Sequence, residues 1–242
     1  MSDKNTRVDA NIALLIDADN ASPDHLDEVL LVLGELGTIN IRRAYGNWAK
    51  PALKGWGGLT GLHSIMPMQQ FDIVKGKSAT DMRMTIDAMD LLYRGGIDGF
   101  GIMSSDSDFL PLAQRIREDG LPVYGFGGAK TPLGFQQACT RFFDVAALAS
   151  SQQQAAGGTL AEPPARPVDP SLLELLGSAY KASERDQEGY TSLSEIGQRA
   201  KAVSSFATRN YGYTRLSDLI RAMPNFEVKT GEDGRLLVKR LR

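Results

Sequence analysis

Two hydrophobic patterns alternate along the first 150 residues. Short apolar runs, typical of buried strands, are separated by longer segments in which apolar residues recur with helical spacing. Such alternation indicates βαβ units, with a mostly parallel sheet lying between helices. The predicted strands are 12–16, 39–45, 64–68, 99–103 and 121–126, and the predicted helices are 23–36, 80–93 and 109–119.

A different pattern follows the first half. Short helices are predicted at 170–182, 192–203 and 215–223, and a hairpin at 225–229 and 235–239, the order of a small winged-helix domain. Residues 150–169 are mainly small, polar or proline residues, which cannot form a packed core. The predicted division is an α/β domain at 1–149, a linker at 150–169 and a winged-helix domain at 170–242.

The amino-acid composition excludes some kinds of metal site and disulfide. The single cysteine, Cys139, excludes an internal disulfide framework and a Cys-rich zinc site, and two histidines argue against a His-based metal centre. No uncharged apolar run is long enough to cross a bilayer, and the N-terminal segment lacks an apolar signal-peptide core. We therefore expect a soluble cytoplasmic protein with no membrane partner.

Aspartates follow two of the predicted strands. Asp17 and Asp19 come directly after the first strand, and Asp106 and Asp108 follow the strand at 99–103. Ligands of open α/β sheets bind outside the carboxyl ends of the strands. Carboxylates crowded there repel one another and lose hydration, a cost that a divalent cation offsets. The pattern therefore predicts a Mg²⁺ or Mn²⁺ site.

A further aspartate, Asp81, lies in the first turn of the helix at 80–93. One aspartate at such a place is more often a cap or a surface residue. However, Asp17, Asp81, Asp106 and Asp108 all stand at equivalent ends of successive elements, which coincidence explains poorly. The apolar face of this helix is predicted from its spacing to include Met82, Ile86, Met89 and Leu92.

These acidic segments carry a family resemblance. Residues 14–20 (LLIDADN), 77–81 (KSATD) and 103–109 (MSSDSDF) resemble the motifs of NYN domains, the PIN-like ribonuclease group that includes LabA-like proteins. The likeness continues through 124–130 and 138–143. It implies a PIN-like, mostly parallel sheet flanked by helices, and Mg²⁺- or Mn²⁺-dependent hydrolysis of RNA phosphodiester bonds. It also implies that Asp17, Asp81, Asp106 and Asp108 are catalytic residues and metal ligands.

Polar residues near these aspartates have two interpretations each. Asn20 either orients water or phosphate in catalysis or is a turn residue after the strand, and Ser104 either binds phosphate or merely ends its strand. Two residues depart from the family's pattern: Ser105 stands where glycine is frequent, and Ser78 where asparagine is frequent. Neither departure removes a carboxylate.

Basic residues near the acidic segments are candidates for binding nucleic acid. Lys75 and Lys77 precede Asp81, and Lys130 follows the glycine-rich residues 125–128. A glycine-rich loop without a Walker Lys-Ser/Thr ending is weak support for a phosphate site, so no nucleotide cofactor is assigned.

Tryptophans and lysines are interleaved at residues 47–56. This pattern is compatible with base stacking and phosphate neutralisation. Because Trp48 and Trp56 are close to a common helical face, core packing of the two rings is the stronger interpretation.

The C-terminal part resembles an OST-HTH domain, also called LOTUS, a winged-helix module linked to RNA binding. Residues 189–197 and 206–220 carry the likeness, and the second segment is the specific one. The resemblance implies an RNA partner, single-stranded or structured. The candidates for phosphate contact are Arg199, Lys201, Arg209 and Arg215, and those for base stacking are Tyr211 and Tyr213.

Three functions remain open on the sequence. A metal-dependent ribonuclease with an RNA-binding module explains both halves of the chain. An RNA-binding adaptor without turnover has the same domains. A haloacid-dehalogenase-like phosphatase would use Asp17 as nucleophile and Asp19 as acid/base, but no clear Ser/Thr and Lys phosphate ligands follow. The number of metal ions and the oligomeric state, a homo-oligomer included, also remain open.

Overall fold

A six-stranded parallel sheet organises the first of two units into which the computed structural model divides, after Ala146. The structure describes residues 10–71, 79–156, 169–231 and 234–241. The strands are β1 (Asn11–Asp17), β2 (Thr38–Gly46), β3 (Met66–Gln69), β4 (Gly99–Met103), β5 (Val123–Gly127) and β6 (Arg141–Asp144). The helices are α1 (Leu26–Gly34), α2 (Lys54–Leu62), α3 (Ala79–Arg94), α4 (Leu110–Glu118), α5 (Leu133–Ala138) and α6 (Val145–Ala156).

The strand order is β3-β2-β1-β4-β5-β6, and every neighbouring pair is parallel. The chain therefore leaves β1 toward one edge of the sheet and returns to the other side of β1 at β4. Ile16 of β1 pairs with Met103 of β4, so the two strands end at the same level. The crevice between such strand ends is where open α/β sheets bind ligands. This architecture confirms the predicted fold class.

Both faces of the central strands are covered, which explains their continuous apolar runs. On one face Ala13 and Leu15 join the core cluster of α3, α4 and α5. On the other face α1 packs closely, because a Cβ at Gly101 of β4 would lie 2.7 Å from Leu33 of α1. A glycine at this position of β4 thus lets the helix approach the sheet.

The buried face of α3 differs from the predicted one. Met82 and Ile86 are 66 and 50% exposed, whereas Met84, Asp87 and Leu91 are buried. The prediction was wrong for Met82 and Ile86 because the face of α3 that packs on the core carries Met84, Asp87 and Leu91. Asp87 accepts a hydrogen bond from Tyr45 Oη of β2 at 3.1 Å and pairs with Arg43 of β2 at 3.2 Å. It also pairs with Arg83, one turn earlier on α3, at 3.4 Å.

The second unit combines helices with a three-stranded antiparallel sheet of order β7-β9-β8. Its core is formed by buried residues that include Leu176, Ile196, Ile220 and Val238. The order of these elements along the chain is that of a winged-helix domain. They are α7 (Pro170–Ala182), β7 (Thr191–Ser192), α8 (Leu193–Val203), α9 (Leu216–Arg221), β8 (Phe226–Thr230) and β9 (Leu236–Arg240).

The segment predicted as a linker is helical at its start, because α6 extends to Ala156. Residues 157–168 lie outside the described residues, so the linker stays a prediction. In the described parts of the chain, none of the helices is long and apolar enough to cross a membrane.

Candidate functional site

Asp17 ends β1 and lies in the crevice beside β4. Its side chain is fully buried, and Oδ2 accepts hydrogen bonds from Ser104 Oγ at 2.7 Å and Asn20 Nδ2 at 2.9 Å. Among the described atoms, Oδ1 has no hydrogen-bond partner. An unpartnered buried carboxylate oxygen is costly, so this atom is suited to binding a cation or a protonated group.

The surroundings of Asp17 make it easier to protonate than an ordinary aspartate. Burial is the main cause that raises its pKa, from 3.8 to about 6. The hydrogen bonds from Asn20 and Ser104 lower this pKa, whereas the negative charges of Asp81 and Asp19 raise it. The carboxylates of this crevice are therefore electrostatically coupled.

Asp81, Asp106 and Asp108 form a cluster in which one carboxylate oxygen from each lies within 4.8 Å of the others. Asp81 comes from the first turn of α3. Asp106 caps a short 3₁₀ helix, Ser107–Phe109, by accepting a hydrogen bond from the Asp108 backbone N–H at 2.9 Å. We call this set the carboxylate cluster. Oxygen ligands at such spacing are the donors that Mg²⁺ and Mn²⁺ prefer.

Ser104 joins Asp17 to the carboxylate cluster. Its hydroxyl donates to Asp17 and accepts a hydrogen bond from the Asp106 backbone N–H at 3.1 Å. The side chain is buried. One hydroxyl thus sets the position of two of the predicted metal ligands, a role that the sequence analysis did not assign to it.

Asp19 anchors the start of α3 to the end of β1. Its two carboxylate oxygens accept hydrogen bonds from Lys50 Nζ at 3.2 Å and from the buried Thr80 Oγ1 at 2.9 Å. Since Thr80 directly precedes Asp81, this contact helps to hold Asp81 at the crevice. The sequence analysis did not identify Thr80 and Lys50 as positioning residues. The only indication in the sequence was their location, because Thr80 directly precedes Asp81 and Lys50 lies in the tryptophan-containing segment 47–56.

The glycine-rich stretch after β5 packs against the crevice. A Cβ at Gly127 would lie 2.5 Å from Thr131 Oγ1 and 2.9 Å from the Ser104 carbonyl oxygen. The backbone N–H of Gly128 donates to Ser105 Oγ at 3.0 Å. Ser105 thus holds this loop against the end of β4. Lys130 is exposed in the same loop.

The other predicted residues of the first unit are placed as follows. Lys75, Lys77 and Ser78 lie outside the described residues. Trp56 is buried in α2, and the half-buried Trp48 donates from its indole nitrogen to the Met68 carbonyl. Core packing is thereby confirmed for Trp56, whereas Trp48 is only half-buried.

In the second unit, the predicted RNA contacts lie at and before α9. Arg209 is half-buried in a 3₁₀ helix, Thr208–Tyr211, and Arg215 is exposed at the N-cap of α9. The Tyr211 ring packs near Phe206, with centroids 6.1 Å apart, and burial raises the pKa of its phenol. Tyr211 is therefore partly engaged in the core, and base stacking by this ring stays a prediction.

An open cavity of about 490 Å³ lies within the second unit, between α8 and the start of β9. Ser194, Gln198, Lys201 and Arg235 contribute polar groups to its lining, and Leu216, directly after Arg215, also contributes. This surface combines apolar walls with two cationic side chains.

A parallel sheet with clustered carboxylates in its crevice defines an α/β domain with a candidate metal site. Residues 11–148 match the NYN domain, a PIN-like nuclease fold, and the chain belongs to this family. Residues 165–238 match the OST-HTH/LOTUS domain, which is associated with RNA.

Individual proteins similar to this chain include one curated relative and one solved structure. An uncharacterized protein of Methanocaldococcus jannaschii is 30% identical over 138 residues, which are 55% of this chain and 52% of the relative. The chain thus spans about half the length of that relative. A crystal structure of a protein of unknown function from Vibrio parahaemolyticus is 17% identical, with a TM-score of 0.46, over 60% of this chain and 95% of the other.

Proposed function

We propose that this protein is a metal-dependent ribonuclease that hydrolyses RNA phosphodiester bonds at the carboxylate cluster and Asp17. The observation that carries the proposal is a cluster of three carboxylates that Ser104 links to the buried Asp17, whose Oδ1 is unpartnered among the described atoms. Such a set is stable only when positive charge or protons offset the repulsion.

Asp81, Asp106 and Asp108 would hold the ion, and Mg²⁺ or Mn²⁺ suits their all-oxygen donor set. Asp17 lies outside this set of mutually close oxygens but is electrostatically coupled to Asp81, and we include it as a fourth ligand. A divalent ion bound there would supply an activated water and would neutralise charge on the phosphoryl oxygens. Ser104 holds Asp17 and Asp106 in place.

Asn20 donates to Asp17 from an exposed position. It can therefore orient the carboxylate and also meet solvent or phosphate. We propose Lys75, Lys77, Ser104 and Lys130 as contacts to RNA near the site, and Arg209, Tyr211 and Arg215 as contacts in the second unit.

The engagement of Asp19 disfavours the phosphatase alternative. That reaction needs Asp19 as a proton donor and acceptor, but both of its oxygens accept hydrogen bonds from Lys50 and Thr80. A positioning role is the better explanation for this residue.

Cleavage of labelled RNA by the purified full chain tests the proposal. We expect single-stranded or structured RNA to be cut with Mn²⁺ or Mg²⁺ and to stay intact with EDTA. Asp106→Asn should abolish cutting, whereas Asp27→Asn, at an exposed aspartate on α1, should not. RNA binding without cleavage under any of these metals would instead support the adaptor function.

A further inference from the structure

Helix α3 has a second apolar face that points away from the sheet. Met84 and Leu91 pack in the core, whereas Met82, Ile86 and Tyr93 are 66, 50 and 71% exposed. With about 100° of rotation per residue, the exposed set lies on the side opposite the buried one. A helix that is apolar on two sides is usually covered on both.

The exposed face has the spacing of a coiled-coil seam. Met82, Ile86, Met89 and Tyr93 follow one another at intervals of four, three and four residues, which is the alternation of a and d positions in a heptad. We call these four residues the α3 seam. Met89, half-buried against the core, lies in its middle. Seams of this kind pair with a second helix of the same spacing.

The charged residues beside the α3 seam would be complementary between two copies of the helix. Arg83 and Asp90 occupy equivalent heptad positions on the same flank, one near each end of the seam. In an antiparallel pair of identical helices, such positions meet across the seam. Arg83, which also pairs with Asp87 of its own helix at 3.4 Å, then faces Asp90 of the second copy, and Asp90 faces Arg83 of that copy. A parallel pair would bring Asp90 to Thr85 instead, without an opposite charge.

We propose that two copies of this chain form a two-fold dimer by antiparallel pairing of their α3 seams. Both copies use the same surface, so the assembly stops at a dimer and does not continue into a filament. Four side chains per helix bury less surface than the roughly 800 Å² that each partner buries in a standard interface. A dissociation constant in the micromolar range is therefore expected. This proposal is independent of the nuclease activity.

Pairing in this direction separates the two candidate sites. Asp81 precedes the seam on each helix, and the 16 residues of α3 span about 24 Å. The carboxylate clusters of the two copies would thus lie at opposite ends of the helix pair.

Sedimentation velocity of the full chain over a concentration series tests the dimer. We expect a concentration-dependent dimer for the wild type and a monomer for Ile86→Glu. Leu31→Glu is the matched control, since Leu31 is on α1 and is also 50% exposed; it should dimerise like the wild type. Far-ultraviolet circular dichroism checks that both variants are folded. A wild type that is monomeric at about 100 μM, well above a micromolar dissociation constant, would overturn the proposal.

A charge exchange tests the direction of pairing. Arg83→Asp and Asp90→Arg each place two like-charged pairs across the seam, so each variant alone should dimerise about tenfold more weakly. An equimolar mixture of the two should recover wild-type affinity, because the mixed dimer has opposite charges at both places. Failure of the mixture to recover dimerisation, with both variants folded, would exclude the antiparallel arrangement. Equal dimerisation of Ile86→Glu and wild type would exclude the α3 seam itself.

Discussion

The hydroxyl of Ser104 donates a hydrogen bond to Asp17 Oδ2 across the crevice between β4 and β1, over 2.7 Å. The two residues are 87 positions apart in the chain. Because the same hydroxyl accepts from the Asp106 backbone N–H, it couples the buried aspartate to the carboxylate cluster. The predictions below test the parts of this arrangement separately.

Ser104→Ala should weaken metal binding and cleavage by about 10- to 100-fold, as is usual for residues that orient metal ligands. The hydrogen bond lowers the pKa of Asp17, so its loss raises that pKa. Metal affinity falls at low pH as Asp17 becomes protonated, and in the variant this fall should occur at higher pH. Calorimetric titration with the metal at several pH values measures it. Ser107→Ala, at an exposed serine of the 3₁₀ helix, is the control and should leave the pH profile in place.

Asp106→Asn should reduce metal-dependent cleavage by more than about 100-fold, since loss of a ligand should exceed loss of its supporting contact. The amide still accepts a hydrogen bond from the Asp108 backbone N–H, so the 3₁₀ helix should remain. Single-turnover cleavage and thermal unfolding measure the two effects. Full activity in this variant would remove Asp106 from the site.

Asp17→Asn should stabilise the protein when metal is removed by EDTA. A raised pKa of about 6 means that the folded state binds the proton more tightly than the unfolded state, whose pKa is 3.8. The stability that this proton contributes is complete below pH 3.8 and is lost as the pH rises through 6. At neutral pH the variant should exceed the wild type by on the order of 3 kcal/mol.

Urea unfolding of both proteins in EDTA at pH 5 and pH 7.5 measures this difference. The advantage of Asp17→Asn should reach about half of its full size at pH 5, which lies midway between the two pKa values, and be nearly complete at pH 7.5. The same variant should lose cleavage. A difference in stability that does not change with pH would contradict the predicted protonation of Asp17.

Gly127→Ala should destabilise the first unit by about 1–3 kcal/mol. The added Cβ would lie 2.9 Å from the Ser104 carbonyl oxygen, which is backbone and cannot rotate away. Gly128→Ala is a close control, because its Cβ would meet nothing nearer than Ser105 Oγ at 4.0 Å. Urea unfolding of the two variants should rank them in that order, and an equal effect would show that the loop adjusts freely.

Arg215→Glu should weaken RNA binding by the full chain without changing the rate of cleavage of bound RNA. A contact between Arg215 and phosphate releases counterions, so its loss should lower the salt dependence of binding, by about 0.7 in the logarithmic slope for single strands. Arg185→Glu, an exposed site after α7, is the control. Fluorescence anisotropy at several salt concentrations measures both slopes, and identical slopes would remove Arg215 from the RNA surface.

The sequence by itself determined the elements around the site. The apolar runs predicted β1 and β4 because parallel strands covered on both faces have few polar positions, and the aspartates at their ends marked the crevice. The order of helices and hairpin likewise predicted the winged-helix unit. The short elements α2, α5 and β6 escaped prediction, since glycine-rich or brief segments have little periodicity of their own.

Only the tertiary structure decided which side chains meet. Burial of Asp87 depends on Arg43 and Tyr45, which are more than 40 residues away in the chain, and Met82 and Ile86 lie on the exposed side of the same helix. The contact of Asp19 with Thr80 spans 61 residues. Local periodicity reflects the secondary structure that neighbouring residues prefer. The contacts described here form only when the sheet brings distant strand ends together, because polar groups that become buried there need hydrogen-bond partners.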